Sequence, residues 1–236
     1  MSAVRQRRLV IFGVSNILSD LFDAALACGL PPSKVVVHHP EKIGERDIPV
    51  AERLAAVAPL CPRSVPPVLF SMDDFVPEAG ELYLLGPTTP TRAKLADLLQ
   101  ACFGLEFCTL VHPRAYVSPL AWLGPGVFVG ANSVIAPGAR LEAHVFVNRG
   151  VTVGHDNRVG AFSRIQPGAN LGSLSRIGRG VTIGLGATLV ERLRVGDGSV
   201  IGAGAVVLED VPDRVMVAGV PATIRKHLAG DAAAST

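Results

Sequence analysis

Asn148 to Arg164 reads N-R-G-V-T-V-G-H-D-N-R-V-G-A-F-S-R and gathers the most chemically capable side chains of the molecule. His155 carries an imidazole, the side chain suited to accept a proton near neutral pH and the commonest general base. Asp156 follows it directly and can orient or polarise the ring. Asn148 lies seven residues earlier and Arg164 nine later, adding an amide and a permanent cation. A lone histidine would read as a polar surface residue. In this company His155 reads as a base that takes a proton from a nucleophile. The other five histidines lack such neighbours. His38 and His39 end a strand, His112 precedes Pro113, His144 has only Glu142 nearby, and His227 lies close to the C-terminus.

The scaffold under these residues announces itself by period. Every sixth residue from Val117 to Val207 is Val, Leu or Ile, which gives 16 positions in unbroken register. Helices repeat every 3.6 residues and ordinary strands every 2, so neither demands a strict six. A coil of short strands and tight corners does, since each flat face needs one inward aliphatic at the same place. Gly follows the aliphatic in Val153-Gly154, Val159-Gly160, Ile177-Gly178 and Ile183-Gly184, where corner dihedrals favour it. Four residues after the aliphatic stands, in most hexads, a small residue or Val, as at Ser133, Ala139, Val145, Ser163, Ala169 and Ser175. At three hexads per turn the repeat makes a little over five coils, and His155 falls where a corner begins.

Residues 8 to about 107 follow another grammar. Leu9 to Phe12 is a short strand ending at Gly13, and Ile17 to Cys28 a helix stopped at Gly29. Lys34 to His38, Val68 to Phe70 and Leu82 to Leu85 are further strands, and Thr91 to Phe103 a second helix closed by Gly104. Strands alternating with helices point to a parallel sheet. The Pro-rich stretch from Ile43 to Pro67 has no clear assignment. Gly13-Val14-Ser15-Asn16 could cradle an anion at the start of the next helix, although it lacks a full G-x-G-x-x-G. After the coil, Val211 to Pro221 leaves the repeat, Ala222 to Ala229 is expected to cap it as a short helix, and Asp231 to Thr236 to fray.

Composition narrows the function classes. Of the 236 residues, 49% are hydrophobic and 18% charged, as in a folded domain or solenoid and unlike a disordered chain. The net charge of +2 gives no electrostatic case for nucleic acid. Arg5, Arg7 and Arg8 read as a solvated basic tail. No stretch reaches the ~18–20 apolar residues of a membrane span, and no signal-peptide pattern is seen. Cys28, Cys61, Cys102 and Cys108 lack metal-ligand spacing and read as free buried thiols of a cytoplasmic protein.

With these motifs in hand, the chain resembles the hexapeptide-repeat acyltransferases, in particular the sialic-acid O-acetyltransferases and bacillosamine-type sugar N-acetyltransferases. FCTLVHPRAYVSPLAWLGPGVFVGANSVI matches the way that family begins its coil, NRGVTVGHDNRVGAFSRIQPGANLGS its catalytic segment, and IGAGAVVLEDVP with AGVPATIRK its end. The resemblance implies an α/β Rossmann-like N-terminal domain (1–107) that binds the acceptor. It implies a left-handed parallel β-helix (108–220) that carries acyl transfer, then a C-terminal cap and tail (221–236). The left hand comes from the resemblance alone, because parallel crossovers in general favour the right. Also implied are a homotrimer, acetyl-CoA as acyl donor in grooves between prisms, no metal, and a sugar or sugar-nucleotide acceptor in surface-glycan synthesis. His155 inherits the role of base, with Asp156 and Asn148 as its companions. Cofactor contacts map near Leu185 and Ala203 and to the backbone amide of Ser173. Arg164 stands where some relatives carry a second histidine near the thioester. Relatives hold the nucleotide-sugar with a His-containing Gly-rich turn and an acidic residue after the second strand. Here those places are Gly13, Ser15 and Asn16, and His38. Two other readings compete. One is an acyltransferase acting on an amino acid or other small acceptor. The other is a non-catalytic β-helix binding or assembly module.

Overall fold

The structure is a computed structural model and describes residues 7–41, 43–62 and 66–229. Arg5 and the 231–236 tail therefore lie outside the described residues. The first unit is a four-stranded parallel sheet, β1 (Arg8–Phe12), β2 (Pro32–Val37), β3 (Val68–Ser71) and β4 (Glu81–Leu85), in the order β3-β2-β1-β4. Helices α1 (Leu18–Ala27), α2 (Val50–Val57) and α3 (Arg92–Phe103) connect and cover it. Helix α2 occupies the Pro-rich stretch that carried no assignment. The Glu41 carboxylate accepts from the Val50 amide at its first turn, a long-range cap invisible to local pattern. The order reverses between β1 and β4, so their C-terminal ends flank a crevice of the kind that holds ligands in open α/β sheets.

From Leu110 the chain makes seventeen two-residue strands, each paired in parallel with the strand 18 residues away. They stack into three faces. The first face carries Phe146–Val147 and Arg164–Ile165, the second Thr152–Val153 and Asn170–Leu171, the third Arg158–Val159 and Arg176–Ile177. The sixth-residue aliphatics point inward and form one continuous buried column. Corners between faces use a left-handed residue, which explains Gly126, Gly138, Gly150, Gly168, Gly180, Gly186, Gly198 and Gly204. Where it is not glycine, the positions are Asn132, His144, Asp156, Phe162, Leu174, Arg192 and Arg214. The glycines directly after the aliphatic, Gly154, Gly160, Gly178 and Gly184, are not left-handed as expected; they are needed because a Cβ there would lie within 2.8 Å of the backbone of the next coil. Interior serines close corners from inside: the Ser163 hydroxyl donates to Gly178 O and accepts from Val181 N.

The end of the coil departs from expectation. Val215–Ala218 stays on the first face, paired with Val200–Ile201. Thr223–His227 is a strand antiparallel to it and not a capping helix. A bare sheet edge offers unpaired backbone groups, and the Thr223-Ile224 start favours extended chain. Of the cysteines, all free, only Cys61 is fully buried and Cys102 is exposed, so the expectation of buried thiols holds only in part.

The α/β unit packs on the first face and on the corner joining the third face to the first. Phe128 and Phe146 stack at 4.9 Å between centroids within the core shared with α1. Asp20 pairs with Arg149 at 2.8 Å. The buried Arg92 guanidinium donates to the carbonyls of Thr88, Thr89, His144 and Ser163, tying the start of α3 to the coil.

Candidate active site

His155 and Asp156 stand together on the corner between the second and third faces. His155 Nδ1 lies 2.8 Å from Asp156 Oδ2, and the two side chains are 55% and 57% exposed. A carboxylate on Nδ1 selects the tautomer with its proton there, leaving Nε2 with the lone pair a base needs. Three features fix this corner. Asp156 adopts φ +57°. Its carboxylate fills a slot where a Cβ on Gly138, in the coil before, would sit 2.2 Å from Oδ1. Asn157 is wholly buried beneath, its side-chain amide donating to Gly172 O and its Oδ1 accepting from Ser175 N. Asn157 escaped the sequence reading. It occupies the fourth position after an aliphatic, where the other coils put a small residue, Val or, at Leu193, a larger aliphatic, and its polarity was the available signal.

Ser173 lies directly beneath, one coil on. A Cβ on Gly154 would come within 2.8 Å of Ser173 N and 2.6 Å of its Oγ, so glycine leaves this amide uncovered. Among the described residues no backbone acceptor takes the Ser173 N–H, whereas Leu174 N donates to His155 O. His155, Asp156 and the Ser173 amide thus form one compact group.

The remaining predicted residues are not brought to it within one chain. Asn148 is buried on the corner between the first and second faces. Its Oδ1 accepts from Arg149 N at 2.8 Å and its Nδ2 faces Gln166 Oε1 at 3.4 Å. Leu185 and Ala203 stack on that same corner, two and three coils below. Arg164 sits on the first face, where its Nε donates to Thr182 Oγ1 at 3.1 Å and burial lowers the guanidinium pKa. It lines a cleft of about 820 Å³ with Lys94, Arg179 and Arg214. Seven residues of sequence carry the chain past one corner to the next, so nearness along the chain did not mean nearness in space.

In the α/β unit, Gly13 and Gly86 meet across the crevice between β1 and β4. A Cβ on Gly86 would lie 2.1 Å from Gly13 O, and Gly13 has φ +80°. The Ser15 hydroxyl donates to Gly86 O at 2.8 Å. Asn16 is engaged by Asp47 at 2.7 Å and by Arg53 at 3.2 Å. Both side chains serve the turn itself, and the backbone is what remains to face a ligand. His38 lines a hollow of about 590 Å³ with Val14, His39 and Glu41. Burial, then the neighbouring His39, lowers its pKa. His144, read as an unremarkable corner residue, is buried against Phe162 and Phe107.

The fold is that of the hexapeptide-repeat acyltransferases, an α/β unit followed by a left-handed parallel β-helix. The solved structures it is similar to are sugar N-acetyltransferases. The acetyltransferase domain of PglB from Neisseria gonorrhoeae is 29% identical over 92% of this chain and 99% of that one, with a TM-score of 0.75. The same domain is also known in complex with acetyl coenzyme A, with 93% of this chain covered. A point mutant of perosamine N-acetyltransferase from Caulobacter crescentus, in complex with CoA and GDP-perosamine, is 26% identical over 92% of this chain and 96% of that one, with a TM-score of 0.78. No protein-family model and no curated protein matches the chain.

Proposed function

We propose that the protein transfers an acetyl group from acetyl-CoA to the amine, or to a hydroxyl, of a nucleotide-linked sugar in surface-glycan synthesis. The observation that carries this is the 2.8 Å contact of His155 Nδ1 with Asp156 on an open corner, above a free Ser173 amide. The similarity to proteins crystallised with acetyl coenzyme A and with GDP-perosamine supports the two substrates. His155 Nε2 takes the proton as the acceptor nitrogen or oxygen attacks the thioester carbonyl. The Ser173 N–H stabilises the resulting oxyanion. Collapse expels the coenzyme A thiolate, which takes the proton back from His155.

The functional unit is a homotrimer built around the second face. That face and its two corners expose Tyr116, Val134, Leu120, Leu174, Leu185 and Leu208, an apolar surface of the kind that marks an interface. Rotation about an axis facing it sets the corner of Asn148, Leu185 and Ala203 on one protomer beside the His155 corner of the next. The α/β unit holds the acceptor in the crevice between Gly13 and Gly86, beside His38. Four unpaired thiols suit the reducing cytoplasm, where acyl-CoA is made.

The test is release of free thiol from acetyl-CoA over a panel of nucleotide-linked amino sugars beginning with GDP-perosamine. Turnover with one of them and none with amino acids supports the assignment. Turnover with amino acids alone, or coenzyme A binding with no turnover on any acceptor, overturns it.

A further inference from the structure

We propose that the third face is a phosphate ladder, on which Arg140, Arg158, Arg176 and Arg194 hold the phosphate groups of a nucleotide-bearing substrate and lay it along the prism beside His155. The four take the same outward position on successive strands. Arg140 pairs in register with Arg158, Arg158 with Arg176 and Arg176 with Arg194, while Trp122 continues the column above Arg140. Neighbouring strands lie about 4.8 Å apart, so the guanidiniums form a column about 14 Å long. All four are exposed, and among the described residues none has a carboxylate partner.

Folding does not ask for this arrangement. Like charges facing one another on adjacent strands oppose pairing. The same column on the second face holds Val134, Thr152, Asn170 and Thr188, without a charge. Nor is the chain basic as a whole, since its net charge is only +2. The arginines are concentrated where the architecture would accept uncharged residues. Each offers a planar fork of donors that matches phosphate oxygens two at a time.

The place of the column says what it serves. Arg158 follows His155 by three residues on the same coil, with Arg140 one coil before and Arg176 and Arg194 one and two coils after. A ligand tethered by its phosphates keeps its reactive end near the imidazole. Three such faces around a trimer axis point in three directions, so a planar anionic membrane would meet only one, whereas a separate nucleotide can occupy each. The ladder therefore rests on the proposed reaction, both of whose substrates carry nucleotide phosphates.

The experiment uses the full chain with the double variants Arg176→Gln/Arg194→Gln and Arg140→Gln/Arg158→Gln, and Arg7→Gln as a control for net charge. Calorimetry reads binding of coenzyme A, dephospho-coenzyme A, GDP and pantetheine at low and high salt, with melting curves to confirm folding. At least one double variant is expected to raise the Kd of a phosphate-bearing ligand about tenfold or more, to flatten its salt dependence and to leave pantetheine alone. Weakened coenzyme A with unchanged GDP assigns the ladder to the donor, and the reverse assigns it to the acceptor. Unchanged affinity for both, or arginine-dependent binding confined to anionic phospholipid vesicles, overturns the proposal. Binding is read without turnover. Arginine-dependent binding in a protein that transfers no acyl group would keep the ladder and reject the reaction, and transfer with arginine-independent affinities would do the opposite.

Discussion

Asp156→Asn separates the orientation of the base from the base itself, and the geometry sets how far apart the two effects should fall. Asparagine tolerates the left-handed backbone at φ +57° and still fits the slot over Gly138, so the corner should keep its shape. What is lost is the charge beside Nδ1. Both side chains are more than half exposed, and an exposed pair contributes about 0.2–1 kcal/mol, or about 1.5- to 5-fold in rate. Solvent can reach the ring and substitute for the carboxylate, which holds the loss in kcat to about tenfold at most. His155→Ala removes the proton acceptor and should cost about 10²–10⁴-fold in kcat with little change in acceptor KM. Since His155 is on an open corner, its loss leaves no core cavity, and melting and coenzyme A binding should stay near wild type. The assay is thiol release from acetyl-CoA with a saturating nucleotide-linked amino sugar, followed across the pH range for wild type and both variants. If His155→Ala retains wild-type kcat and pH dependence, His155 is not the base. If Asp156→Asn falls as far as His155→Ala, the pair works as a desolvated unit and not as a solvent-exposed one.

Gly154→Ala would place a methyl group against the Ser173 amide and should depress kcat more than either KM; normal kcat would remove that amide from the mechanism. Light scattering should report a trimer, and Thr152→Arg on the second face should yield monomers with little turnover; active monomers would refute the shared site. Burial, then Arg92, lowers the His144 pKa to about 4. The unfolded chain therefore takes up a proton near the ordinary histidine value while the folded chain does not. This contribution, about 3 kcal/mol, is complete above pH ~6.5 and is lost as pH falls toward 4. His144→Asn, which suits φ +57°, should flatten denaturant stability over that interval, and an unchanged slope would assign the pH dependence to other groups.

Much of the scaffold was legible because a coil imposes a rule that each hexad must obey separately. An inward aliphatic is required on every face, so the register from Val117 to Val207 could be read without ambiguity, and it extends back to Val111 in the structure. The α/β strands were nearly as plain, since each is a short apolar run, with Gly directly after β1 and β4. Helix α2 was not, because its first turn is held by Glu41, nine residues before Val50. The end of the coil misled for a related reason. Thr223–His227 is a strand because Val215–Ala218 presents an edge to pair with, a fact of tertiary structure rather than local pattern.

The candidate site divides along the same line. His155 and Asp156 are adjacent in sequence and touch in space, so reading them as a pair required only chemistry. Asn148 and Arg164 were grouped with them by linear proximity, which in this fold is the wrong measure. Residues 18 apart are neighbours, and residues six or seven apart stand on different edges of a triangular prism. Applied to polar residues, the 18-residue period joins Gly138 to Asp156, Gly154 to the amide of Ser173, and Arg140 to Arg158, Arg176 and Arg194. The six-residue period reports what the core needs. The 18-residue period reports what each face presents to its surroundings, and there the third face differs from the second by a column of charge. For the residues that one prism keeps apart, Asn148 and His155 above all, the remaining way to meet is across a boundary between copies. The oligomeric state is therefore part of the catalytic argument, and the behaviour of Thr152→Arg bears on the mechanism as directly as that of His155→Ala.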